Sequence, residues 1–199
     1  TDVEAEEIVT EFRDKIYPKI HQWIGEEPRP GLDRDSRFTL LLHDVGNDKS
    51  GRDYGGYFSP ADQNPLAPNS NRGEILFMDI YTYLQRGKRT FYKSLAHEIT
   101  HLVNWYQNGG QIDETWLEEG MASFSEYAIY GSMHQIFIEG YLKDPTVSLT
   151  EANTHNVQYG AGFMFLLYAY DNYGNREFIK ELVRQDQLGM AGVEATLKT

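Results

Sequence analysis

Residues 94–106 read "SLAHEITHLVNWY", which places two of the chain's six histidines four apart with a glutamate directly after the first. On a helix, positions i and i+4 bring Cβ atoms to about 5–6 Å, so both imidazoles could reach one metal ion. Glu98 could then point at a metal-activated water instead of the metal. The competing interpretation is a solvated helix face that happens to carry His97 and His101. A catalytic zinc takes three protein ligands and keeps one position open, so the pair needs a third partner. The chain has no cysteine, which excludes thiolate sites and disulfides. Any metal must therefore be held by histidine and carboxylate.

Carboxylates are concentrated just downstream, in "DETWLEEGMASFSEY" at 113–127, which offers Asp113, Glu114, Glu118, Glu119 and Glu126. Thr115 followed by Glu118 matches a capping box, predicting a helix start at Thr115 and a Glu118 engaged with its own helix end. Leu117, Met121, Phe124 and Ala128 then form a buried face. Glu119, Ser123, Glu126 and Tyr130 share the other face, and Glu119 is the first carboxylate to project from it. Gly120 costs about 1 kcal/mol relative to alanine in a helix interior, which a close approach by the histidine helix would explain. A carboxylate from this helix meeting the histidine pair is the constellation a catalytic zinc needs.

The remaining elements must position these side chains. Residues 2–24 read as an amphipathic helix with Val3, Ile8, Val9, Phe12, Ile16 and Ile20 spaced mostly three or four apart. "RFTLLLHDV" (37–45) and "GEILFMDIYTY" (73–83) read as strands. His43 in the first of these is assigned a structural role. Between them, 46–73 is loop-rich; its Asp and Asn residues could ligate calcium, yet no EF-hand spacing is present and turn chemistry explains them better. Helices follow at about 90–106, 115–130, 133–143, 157–173 and 175–184. On the zinc helix, Phe91, Leu95, Ile99, Leu102 and Tyr106 share one arc that faces the core. The expected fold is α+β: an α/β lobe with a mixed sheet over 1–106, a mostly helical lobe over 107–199, and a zinc cleft between them. With 199 residues, 1–199 fits one catalytic domain.

Composition narrows the partners. A net charge of −12, with no cluster of Lys and Arg, argues against nucleic acid and anionic membrane surfaces. No apolar run is long enough for a membrane span. The opening "TDVEAEEI", without methionine or leader, leads to the expectation of a mature or excised chain. The closing "GMAGVEATLKT" reads as a helix just beginning, so the natural chain is expected to continue. Nothing indicates an oligomeric state.

"HEITH" followed by "WLEEGMA" resembles the gluzincin metallopeptidases, whose third zinc ligand is a glutamate on a following helix. The Trp-Leu-x-Glu-Gly-x-Ala form is similar to aminopeptidase N-like enzymes. "GGYFSPADQNPLAPNSNRGEILFMD" and "YGAGFMFLLYAYDNYG" look more like hyicolysin-type neutral metalloproteases of secreted bacterial origin. The resemblance covers roughly residues 55–175. It implies a secreted or extracellular zinc peptidase, one catalytic zinc held by His97, His101 and Glu119, Glu98 as general base, and a peptide or protein substrate. It implies that Glu126 orients a ligand. "QYGAGFMFLLY" is similar to an aminopeptidase segment whose tyrosine stabilises the oxyanion, which maps onto Tyr159, with His155 as the rival for that role. His21 and His134 are read as surface residues.

The sequence also departs from these patterns. Seventeen residues separate His101 from Glu119, so the loop "QNGGQID" must be tight. Gln107 stands where a metzincin carries its third ligand. The Gly-x-Met-Glu-Asn anchor for a free amine is missing, which favours internal cleavage, although Glu74 keeps an aminopeptidase of the same clan open. A zinc-bearing binding module is the alternative from another class, and the retained Glu98 speaks against it.

Overall fold

The computed structural model describes residues 1–27, 29–46, 55–150 and 155–198, the side chains of 155 and 156 excepted. The N-terminal stretch forms α1 (Asp2–Glu11) and α2 (Tyr17–Trp23), joined by a wide π turn over Phe12–Ile16. That turn shifts the helical register. Ile8, Ile16, Ile20 and Ile24 are buried, whereas Val3 and Val9, expected on the same stripe, are exposed.

A three-stranded mixed sheet follows, in the order β1-β3-β2. β1 (Thr39–His43) runs parallel to β3 (Ile75–Asp79), with Leu40 opposite Leu76 and Leu42 opposite Met78. β2 (Gly56–Phe58) lies antiparallel on the other side of β3 and forms an edge. The strand expected over 73–83 stops at Asp79. The Asp79 carboxylate accepts from the Thr82 N–H and hydroxyl at 2.8 and 2.9 Å, and turns the chain into a helical turn over Thr82–Arg86. In the loop 59–73, Asp62 accepts from the backbone and side-chain N–H groups of Asn71, which is turn chemistry.

The C-terminal part is helical: α3 (Lys88–Gln107), α4 (Thr115–Tyr130), α5 (Gln135–Lys143), α6 (His155–Asn172), α7 (Arg176–Val183) and α8 (Gly189–Thr196). The α+β class is as expected from the sequence. α3 is central. Phe91, Leu95, Ile99 and Leu102 are buried on one arc, and His97 and Glu98 are only 7% and 9% exposed on the others. A solvated histidine face is thereby excluded.

Three close approaches fix the helices around α3. A Cβ on Gly162 of α6 would lie 2.2 Å from the Trp116 carbonyl oxygen, and one on Gly120 of α4 would lie 2.8 Å from the Gly162 carbonyl carbon. The neighbour that demands glycine at 120 is therefore α6, not the histidine helix expected from the sequence. A Cβ on Gly160 would lie 2.2 Å from the Phe137 carbonyl oxygen, which seats α5 on the opposite side of α6. Gly162→Ala should force α4 and α6 apart and destabilise by about 1–3 kcal/mol, the range for overpacked cores. Thermal unfolding should register this as a drop of roughly 2–4 °C per kcal/mol. An unchanged melting temperature would show that the contact is not tight.

Candidate metal centre

α3 presents His97 and His101 one turn apart, with ring centroids 4.9 Å from each other. The helix begins after Gly87, whose φ of +91° suits glycine. After Gln107 the chain reverses through Gly109 and Gly110, at φ +64° and +83°, so the short loop is closed by two left-handed residues. Gln107, in the metzincin ligand position, instead donates to the Glu26 carbonyl oxygen.

α4 brings the carboxylates. Its cap differs from the expected box: Glu114 is the N-cap residue and Thr115 already lies inside the helix. Asp113 accepts from the N–H of Gly189, tying the start of α4 to α8. Glu118 accepts from the Asp113 N–H at 3.1 Å through one oxygen, while its other oxygen lies 3.2 Å from His101 Nδ1. Glu119 Oε2 stands 3.1 Å from His97 Nε2 and 3.6 Å from His101 Nε2. Glu126, fully buried, takes His97 Nδ1 at 2.9 Å and accepts from the His134 backbone N–H at 3.1 Å.

Each histidine therefore has a carboxylate on Nδ1 and turns Nε2 toward Glu119. One ligand atom from each of His97, His101 and Glu119 lies within 4.8 Å of the others, a group that could hold a metal ion. A carboxylate on Nδ1 fixes the tautomer and leaves the Nε2 lone pair for a cation. Glu118's contact with His101 escaped the sequence reading because the apparent capping box accounted for that residue. His134, read as a surface residue, is half-buried with its Nε2 3.6 Å from Glu126. His21 likewise lies 2.8 Å from the buried Glu27.

The electrostatics follow the geometry. Burial opposes charge on His97, but its hydrogen bonds to Glu119 and Glu126 prevail and push its pKa up to about 9. His101 shows the same contest, with Glu119 and Glu118 holding it well above the ordinary value. Glu119 is also buried, yet His101 and His97 draw its carboxyl well below the usual range. Burial pushes Glu98 the other way, upward, against the pull of both histidines; the Phe58 backbone amide on β2 also reaches it.

The Tyr159 ring lies nearly parallel to His97 at 5.8 Å, and Phe137 backs it at 4.5 Å. His155 begins α6, but its side chain lies outside the described residues. His43 stays in the sheet, edge-on to Phe77, away from the centre.

No protein-family model matches the chain. Among curated proteins, it is 28% identical to the neutral metalloprotease ShpI of Staphylococcus hyicus over 94% of its own length. The likeness supports a metalloprotease. The chain spans about half of that relative, covering 46% of its length.

Two outcomes test the centre. Glu118→Gln and Glu126→Gln should each weaken zinc about 10–100-fold in competition with a chelator, as loss of an orienting partner does. Because His97 titrates near 9 before metal binds, its proton must leave as the cation enters, and affinity should fall as pH drops below that value. Calorimetry at neutral pH in buffers of different ionisation enthalpy should show at least one proton released per zinc. No release would contradict the arrangement.

Proposed function

We propose that this chain is a zinc-dependent endopeptidase domain in which His97, His101 and Glu119 hold the zinc and Glu98 is the general base. The observation that carries this reading is the buried Glu98 beside a His-His-Glu group whose ligand atoms lie within 4.8 Å. Two imidazoles and one carboxylate suit zinc with one position open, whereas magnesium and calcium favour oxygen alone. Bound zinc supplies a water acidified toward pKa ~7 and a polarised scissile carbonyl.

The chain's own residues do the rest. Glu98, made more basic by burial, takes the proton of the attacking water and delivers it to the leaving amine nitrogen. Tyr159, stacked on His97, donates its phenol hydrogen to the developing oxyanion, with His155 as the alternative donor; such contacts are worth roughly 3–4 kcal/mol. Glu126 and Glu118 keep the two imidazoles in register.

Internal cleavage is supported by β2. Among the described residues this edge strand pairs with β3 on one side only, which would let its other side take up an extended peptide by main-chain hydrogen bonds beside Glu98. The stretch 69–74, which also precedes the histidine helix, is irregular, with Asn69 and Arg72 at positive φ, and does not offer such an edge. One oxygen of Glu74 accepts from the Leu32 N–H and the Tyr106 hydroxyl, so its carboxylate is held against the loop after α2 and the end of α3. The substrate in this reading is a peptide or protein, and the resemblance to secreted bacterial enzymes supports a reaction outside the cell. No described helix is long and apolar enough to cross a membrane.

Glu98→Gln should retain about one zinc per chain while peptide hydrolysis collapses by about 10²-fold or more, the scale of lost acid–base catalysis. Near-normal turnover would remove this base. A peptide blocked at both termini should be cut internally. Cleavage only of unblocked peptides, one residue at a time from the amino end, would assign an aminopeptidase instead.

A further inference from the structure

Glu118 holds the Nδ1 atom of His101, yet Glu118 itself stands in the first turn of α4, where the helix has only just begun. Its other oxygen, Oε1, is fixed from outside the helix by the Asp113 N–H at 3.1 Å. That N–H belongs to the short loop between α3 and α4, in which Gly109 and Gly110 lie at positive φ. Ile112, the one aliphatic side chain of 108–113, is 62% exposed, so apolar burial does not anchor the peptide that faces Glu118.

The anchor is the Asp113 carboxylate. Its Oδ1 accepts from the Glu114 N–H and from the Gly189 N–H, both at 2.6 Å. Gly189 opens α8, whose Val193 is buried in the core. A Cβ on residue 189 would lie 2.2 Å from the Glu114 carboxyl carbon, and Glu114 is tied in turn to the Trp116 indole N–H at 2.6 Å. α8 therefore meets the start of α4 as closely as a bare glycine backbone allows. The contacts run in series from Gly189 to Asp113, from Asp113 to Glu118, and from Glu118 to His101. Connected polar contacts of this kind are worth more together than apart.

We propose that Asp113 is a positioning residue of the metal centre: it ties α8 to the loop before α4, so that the Asp113 N–H holds Glu118 against His101. Asp113 touches neither metal nor substrate and acts only through Glu118. The inference rests on the zinc reading above and adds α8 to the parts of the chain that set the His101 ring. Glu126 differs in its support, because it lies deep in α4 and takes its backbone donor from His134 at the start of α5. The two histidines are thus steadied by separate parts of the C-terminal half, and a change at Asp113 reaches His101 without passing through Glu126.

The test is zinc affinity, read by competition with a chelator on metal-stripped protein, with the melting temperature measured beside it. Loss of a carboxylate bonded directly to a ligating imidazole costs about 10–100-fold. Asp113 acts one step further out, so Asp113→Ala should weaken zinc about three- to tenfold. Asp113→Asn keeps an oxygen for the Gly189 N–H and should recover affinity to within about twofold of the wild type. Asp113→Ser still offers an oxygen to the Glu114 N–H at a shorter reach, and it replaces the alanine variant should that one not fold. In a Glu118→Ala background, where the path to His101 is cut, Asp113→Ala should cost no further affinity. In a Glu126→Gln background it should cost as much as in the wild type. A residue that only caps α4 would lower the melting temperature and leave the affinity alone. Wild-type affinity in Asp113→Ala or its serine replacement, or a full further loss on top of Glu118→Ala, would overturn the inference and leave the zinc reading intact. A wild-type protein that takes up no zinc would overturn the zinc reading, and this inference with it.

Discussion

Everything in this molecule is arranged around a line of buried charge between α3 and α4. Two imidazoles on one helix face three carboxylates on the other, and Glu98 adds a fourth beside them. Isolated, any of these groups would be expensive to bury. Together they are acceptable because each imidazole nitrogen has an oxygen opposite it, and because a proton or a cation can sit among the three innermost atoms. The division of labour is set by helix position alone. Glu119 faces both Nε2 atoms, while Glu118 and Glu126 reach the two Nδ1 atoms from either side.

Such an array tolerates little slack, and the packing shows how it is kept tight. The backbones of α4 and α6 meet at Gly120 and Gly162, where no side chain fits. That contact sets Glu119 in place and delivers Tyr159 to the face of His97. Gly55 does the same on the sheet side: a Cβ there would lie 2.2 Å from Ser94 Oγ, so β2 closes on α3 one turn before His97. The edge strand, Glu98 and the group His97, His101 and Glu119 are thereby packed into one neighbourhood, the kind of positioning the proposed chemistry would need.

Much of this was legible in the chain, and for identifiable reasons. The i, i+4 histidines, the core stripe of α3 and the face shared by Glu119 and Glu126 all depend on helical period, which sequence displays directly. What escaped depended on which helix packs against which. Gly120 signalled a close approach, but only the tertiary structure identifies α6 as the neighbour. Thr115 and Glu118 matched a cap by spacing, and Glu118 does accept from the Asp113 N–H at the start of its own helix, but only the tertiary structure shows that its other oxygen meets His101. Val3 and Val9 fitted an ideal helical stripe until the π turn shifted the register.

The most direct measurement of the central claim is a zinc titration of chelator-stripped protein, read as hydrolysis of a protein substrate such as casein. Activity should be absent without metal, rise in proportion to added zinc, and level off at about one equivalent, as a single three-ligand centre demands. Hydrolysis that survives stripping, or that never appears at any zinc level, would contradict a zinc peptidase built on His97, His101 and Glu119.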